Sequence, residues 1–190
     1  MFKLSLIASL NNPRSYSFTR HNIGSWWLSE FCSLNNTSIT FNKFYNSYIG
    51  KLYLYDNVLH LLEPNVYMNI NGEVINAYCN DNNISYINSM IIHDDLDLNI
   101  GCIRIKFGGG NAGHKGLISL TNSFSSSEFL RLRIGIGKPI NKSVNNNYVL
   151  GKCSFVEEKI IRKSIYKSML FIDDLVNLSW SLFMNKFHSK

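Results

Sequence analysis

Apolar residues arrive in short runs separated by polar, glycine-rich or asparagine-rich breaks, and the spacing within the runs switches between two-residue and helical periods. Leu4–Leu10 is nearly continuous and predicts a buried first strand. Thr19–Leu34 follows with helical spacing that carries Trp26, Trp27 and Phe31. Lys51–Tyr55 and Val58–Leu62 flank Asp56-Asn57, which predicts a tight hairpin. Helical spacing returns over Tyr67–Tyr78, although Gly72 weakens it. Ser85–His93 then rises into Ile91-Ile92 as a buried strand, and Cys102–Phe107 alternates at period two. After a glycine cluster, His114–Thr121 reads as a helix, Phe129–Ile136 as a strand and Ile140–Tyr148 as an asparagine-rich loop. Helical spacing then runs from Phe155 to about Phe187, in one or two segments. The alternation predicts an α/β fold: a single domain over 1–190, with a twisted mixed β-sheet covered by helices on both faces and a helical C-terminal region over about 155–188. Ligands of such sheets bind just beyond strand ends.

Composition narrows the class. The 190 residues are 45% apolar and only 17% charged, so they can bury a core and are not a disordered polyampholyte. No apolar run approaches the ~18 residues of a membrane-spanning helix. The opening segment has one cation, a short apolar stretch and no small-residue cleavage site, which favours a strand over a secretion signal. Cys32, Cys79, Cys102 and Cys153 form no C-x-x-C pair, and a reduced, cytoplasmic protein is expected. The 25 asparagines accompany abundant Ile, Lys, Tyr and Phe, a set that shares A/T-rich codons, so codon bias accounts for the excess. The net charge of +6 is unevenly spread. Residues 1–99 balance at −3, whereas residues 100–167 carry twelve cations against three carboxylates. A basic half of this kind suits a polyanion.

Three constellations could carry chemistry. Gly108-Gly109-Gly110-Asn111-Ala112-Gly113 satisfies G-x-G-x-x-G between a strand and a helix, but the acidic residue expected ~20 positions later is replaced by Arg131-Leu132-Arg133. Nicotinamide binding is therefore the weaker reading. A tight backbone turn beside a bulky ligand, its amides free for an anion, is the stronger. His93-Asp94-Asp95-Leu96-Asp97 ends the strongest strand, and its carboxylates could hold a hard cation or orient a histidine. His21 opens the first helix. Paired with Asp94 across the strand ends, it would form an acid–base unit. With no G-x-S-x-G serine or partnered cysteine, direct attack by water is favoured over a covalent intermediate. Asn12 and Tyr67-Met68-Asn69 could add groups that hold a carbonyl or that water.

Taken together, these segments closely resemble the bacterial-type peptidyl-tRNA hydrolases. The match runs through Leu10-Asn11-Asn12-Pro13, Thr19-Arg20-His21-Asn22, Pro64…Tyr67-Met68-Asn69…Gly72 and His93-Asp94-Asp95-Leu96-Asp97-Leu98. It continues through Gly108-Gly109-Gly110…Gly113-His114…Gly116-Leu117, the block Phe129–Gly137 and Val149-Leu150-Gly151, in the family's order. The resemblance implies a monomeric hydrolase without metal or cofactor that cuts the ester between a peptide and the tRNA 3′ ribose. By position, His21 would be the general base, Asp94 its stabilising partner, and Asn12 the residue that distinguishes blocked from free aminoacyl ends. Tyr16, Tyr67, Asn69 and His114 would contact substrate, and Lys106 and Arg133 would clamp acceptor-stem phosphate. Departures stand out. Ser9 and Arg14 replace glycines, Asn111 and Ala112 alter the glycine run, and Lys115 stands where an asparagine normally binds substrate. A tRNA-binding relative with impaired catalysis is the alternative these departures raise.

Overall fold

The computed structural model describes residues 4–54, 57–139, 145–172 and 175. A seven-stranded mixed sheet forms the centre, with strand order β2-β3-β4-β1-β5-β7-β6. Strand β1 (Leu6–Ser9) lies between parallel neighbours β4 (Asn57–Pro64) and β5 (Ser89–Asp95). All four residues of β1 are buried, as a continuous apolar strand should be when both faces are covered. Strand β7 (Leu130–Gly135) extends the parallel set beside β5, and β6 (Ile103–Phe107) closes that edge antiparallel to β7. At the other edge, β3 (Ser47–Leu54) pairs antiparallel with β4 as the predicted hairpin, whose Tyr55 and Asp56 lie outside the described residues. A short strand β2 (Thr40–Asn42) adds to β3. Its three exposed residues offer no apolar pattern, so nothing in the sequence marks it.

Helices cover both faces. The helices α1 (Ile23–Leu34) and α5 (Phe155–Met169) pack together, and Trp27 donates its indole N–H to Ser168 at 2.9 Å between them. Trp26, Trp27, Phe31, Ile161 and Ile165 join the buried cluster on that face with Ile7, Ile92 and Leu132. On the opposite face α2 (Asn71–Asp81) and α3 (Lys115–Phe124) bury Ile75, Leu117, Leu120 and Phe124 against Leu6, Ala8, Leu62 and Ile91. Gly72, which weakens the helix pattern in sequence, is required by this contact: a Cβ there would lie 2.3 Å from the carbonyl of Ser119.

The structure corrects three boundaries. His21 sits in a 3-10 turn, Arg20–Asn22, before α1, and a similar turn, Met68–Ile70, precedes α2. The expected loop over Ile140–Tyr148 contains a helix, α4 (Asn145–Val149), while residues 140–144 lie outside the described residues. Helix α5 opens with a capping box between Ser154 and Glu157 and ends at Met169; most of the predicted continuation toward 188 lies outside the described residues.

The chain leaves β1 for β4 on one side of the sheet and later returns to β5 on the other, which makes the end of β1 the switch point where such sheets bind ligands. The turns after β1, β4 and β5 meet there.

Candidate active site

A cavity of about 860 Å³ opens at these strand ends, lined among others by Asn12, His21, Tyr67, Asn69, His93, Asp94, Lys106, His114, Lys115 and Arg133. Tyr16 is not among its lining residues; it lies in the Arg14–Tyr16 turn and is 37% exposed. Every other sequence-predicted site residue converges on the cavity.

The 3-10 turn brings His21 over the end of β5. Its Nδ1 lies 2.8 and 3.0 Å from the two carboxylate oxygens of Asp94, and both side chains are buried. His114 reaches the same carboxylate, Nε2 to Oδ1 at 3.1 Å. His114 also caps α3, its Nδ1 accepting from the amides of Gly116 and Leu117. Two N–H donors at Nδ1 demand a lone pair there, so the proton of His114 sits on Nε2 and is donated to Asp94. Asp94 in turn accepts a hydrogen bond from the Nδ1–H of His21. That assignment leaves the Nε2 of His21 as a free base.

The charges agree with this geometry. Burial penalises the Asp94 carboxylate, yet His21 and His114 together hold its pKa well below the usual carboxylate range. Burial pushes the His21 imidazole down, but the charge and hydrogen bond of Asp94 outweigh it and raise the net pKa; Lys115 opposes that rise. His93, which the sequence reading left without a role, donates Nδ1–H to the Asp94 carbonyl at 2.7 Å. Burial, reinforced by His114, pushes it down to about 3, so it is neutral.

Asn12 is held by Asn22 and by the Met68 amide. Its amide donates to Asn22 Oδ1 at 3.0 Å, its carbonyl accepts from Asn22 Nδ2 at 2.8 Å, and its side-chain oxygen accepts from the Met68 amide at 3.1 Å. The buried Nδ2 has no protein partner, which leaves two oriented donors at the cavity. Asn71 continues the network, exchanging hydrogen bonds with the backbone of Asn11 and donating to the Tyr67 carbonyl at 3.0 Å. The asparagine excess, read as codon bias, is here partly structural. Asn22 stands in the block Thr19-Arg20-His21-Asn22 without an assigned role, and nothing local separates Asn71 from that background.

The glycine run is fixed from below. Arg131, 2% exposed on β7, donates to the carbonyls of Gly110 at 2.8 Å and Gly109 at 2.7 Å. The run follows β6, which is antiparallel to β7, so it is not the turn of a parallel βαβ unit that dinucleotide binding requires. The three carboxylates after β5 also separate: Asp94 faces the histidines, Asp95 takes Arg133 Nε at 2.7 Å, and Asp97 pairs with Lys138. They do not converge on a cation. His21, Asp94 and His114 are the one group among the described residues close enough to hold a metal ion. The Nε2–H that the helix cap imposes on His114 makes that side chain a donor toward the site instead of a ligand.

Two of the departures, Arg14 and Ser9, have partners within the fold. Arg14 makes two hydrogen bonds to buried Glu63, at 2.9 and 3.0 Å, and its guanidinium lies 3.3 Å from the centre of the Tyr48 ring. Ser9 donates to Asn11 Oδ1 at 2.7 Å.

A family model described as peptidyl-tRNA hydrolase matches residues 6–190. The chain belongs to the peptidyl-tRNA hydrolase family. It is 38% identical to the peptidyl-tRNA hydrolase of Francisella tularensis subsp. novicida (strain U112) over the whole of both chains. Identity to the Marinomonas sp. (strain MWYL1) protein of that name is 36%, over 97% of this chain and 96% of that one. The crystal structure of the Acinetobacter baumannii peptidyl-tRNA hydrolase superimposes with a TM-score of 0.92 at 32% identity, covering 97% of this chain and 94% of that one.

Proposed function

We propose that the protein hydrolyses the ester joining a peptide or N-blocked amino acid to the 3′ ribose of tRNA, using water activated by His21. The observation that carries this reading is the buried His21–Asp94 pair, which leaves a basic Nε2 at the cavity beside the free amide hydrogens of Asn12. His21 Nε2 takes a proton as water attacks the ester carbonyl, and Asp94 stabilises the imidazolium that forms. The Asn12 amide donates to the oxygen that gains charge. When the tetrahedral intermediate collapses, the carbonyl reforms, the C–O bond to the ribose breaks, and His21 returns its proton to the leaving 3′ oxygen. The exposed Tyr67 and Asn69 form the rim against which peptide and terminal nucleoside rest. Tyr16, outside the cavity, contributes at most to substrate beyond it.

The whole chain acts as one cytoplasmic domain, and as a monomer; among the described residues no helix is long and apolar enough to cross a membrane. Release of an N-blocked aminoacyl group from tRNA, followed with chelator present, tests the reading. A positioned general base contributes ~10²–10⁴ in rate, so His21→Ala should lose about that factor while still binding tRNA, and wild type should keep its rate in chelator. A wild-type protein that binds tRNA but releases nothing would instead mark a binding protein that has lost turnover.

A further inference from the structure

Four cations line the cavity outside its floor: Lys106, Lys115, Arg133 and Lys138. Two are already engaged, Arg133 with Asp95 and Lys138 with Asp97. Lys106 and Lys115 make no ion pair or hydrogen bond with another described side chain. Between them runs the glycine loop. The Lys106 ammonium lies against Gly109, 2.6 Å from where a Cβ would stand. Lys115 is the first residue of α3, directly after His114, and its charge is felt at His21. The loop joins the two lysines with the right polarity. Arg131 holds the carbonyls of Gly109 and Gly110, and the peptide bonds are trans, so the N–H groups of Gly110 and Asn111 point away from Arg131. Neither N–H has a protein acceptor among the described residues, and no atom stands within 4 Å of a Cβ position at Gly110.

Lys115 is exposed at the cavity, and its charge works against the imidazolium that catalysis must form, an opposition that a bound anion relieves. We propose that Lys115 binds the phosphodiester on the 5′ side of the terminal nucleoside of the tRNA. This rests on the reading of His21 as the base that attacks the 3′ ester. The terminal nucleoside carries its ester on the ribose 3′ oxygen and its own phosphate on the 5′ oxygen, one ribose away. Lys115 follows His114 at the start of α3 and lines the same cavity as His21, so the phosphate next to the reacting ribose is the anion within its range. The loop amides and Lys106 continue the anionic path away from it. The terminal phosphate therefore anchors the nucleoside whose ester is to be cut, which makes Lys115 a substrate-binding residue particular to chains with lysine at this position. A lysine serves here where an amide would not, since it offers a full charge and three donors.

The test pairs two substrates with one substitution. N-acetyl-aminoacyl-tRNA carries the phosphate, and the 3′ ester of adenosine with the same N-acetyl amino acid does not. For Lys115→Ala, KM for the tRNA substrate should rise several-fold at low salt, and the slope of log KM against log salt should fall by about 0.7, one single-strand phosphate contact. KM for the nucleoside ester should stay at the wild-type value, and Lys115→Arg should restore tRNA affinity. An unchanged KM and salt slope for tRNA would overturn the proposal, leaving Lys115 as a solvated surface charge. An equal loss on both substrates would also overturn it and place Lys115 at the reacting group. Wild type that hydrolyses neither substrate would instead defeat the reading of His21 on which it rests.

Discussion

At the level of single residues, the site depends on which proton sits where. The Nδ1 lone pair of His114 is consumed by the α3 amides, so His114 must present Nε2–H to Asp94, and His21 must present its own Nδ1–H to the same group. Replacing Asp94 with Asn removes the charge that raises the His21 pKa and leaves the two lowering influences, burial and Lys115, in place. The acid limb of kcat/KM for Asp94→Asn should therefore move to lower pH than in wild type, and kcat should fall because the imidazolium is less well supported. An unchanged limb, measured with the same tRNA substrate, would break the proposed pairing. His93 has the opposite sign. Its folded pKa is pushed down from 6.5 to about 3, so between those values the unfolded chain binds a proton that the folded chain refuses. Stability is lost as pH falls through that window. In His93→Phe, denaturant unfolding should show a shallower loss of stability between pH 6.5 and about 3 than wild type does.

At the level of elements, close helix approach sets the limits. A Cβ at Gly72 meets the Ser119 carbonyl carbon and oxygen at 2.3 Å and the Leu120 nitrogen at 2.4 Å, all of them backbone atoms that cannot rotate away. Alanine gains up to about 1 kcal/mol of helix propensity over glycine, but separating α2 from α3 costs roughly 1–3 kcal/mol as overpacking. The second effect is larger here because the contacts are backbone. Gly72→Ala should lower Tm by several degrees in calorimetry, where propensity alone would have raised it. Helix α5 shows how a distant element supports the site. Glu157 closes the capping box of α5 and also accepts from Arg20 at 2.9 Å, one residue before His21. Arg20 lies over the Tyr148 ring of α4 as well. The His21 turn is thus tied to both C-terminal helices.

For the molecule as a whole, five described cations of residues 100–167 line one cavity, Lys106, Lys115, Arg131, Arg133 and Lys138, with β6, β7 and α3 contributing Lys106, Arg133 and Lys115. The two proposed clamp positions should respond differently. Lys106 has no ion pair among the described residues, so Lys106→Ala should raise KM for the tRNA substrate and flatten its log–log salt dependence by about 0.7–0.9. Arg133 neutralises Asp95, 2.7 Å away, so Arg133→Ala both removes a contact and uncovers a carboxylate facing the phosphates. Its KM should rise more than that of Lys106→Ala, with little change in kcat for either. Equal effects of the two substitutions would show that Asp95 is screened from the substrate.

What was legible in the sequence was whatever a local period or a short motif encodes. The buried β1 follows from an unbroken apolar run, α1 from helical spacing, and the Gly108–Gly113 turn from residues that tolerate positive φ, as Gly108, Gly109 and Gly113 do. The motif blocks likewise single out His21, Asp94 and Asn12, which the structure brings to one cavity. Other features depended on contacts between segments far apart in the chain. No local signal reveals what Asn22 and Asn71 do, because their value lies in holding Asn12 and Asn11 from other elements. The same holds for Arg131, a cation that the sequence counts toward a basic surface and that the fold buries beneath the glycine loop. The β2 edge and the α4 helix carry too few apolar residues to set a period, so their neighbours in space determine them. The pairing of His21 with Asp94 spans 73 positions, and only the parallel packing of β1 beside β5 brings the turn after one strand over the end of the other.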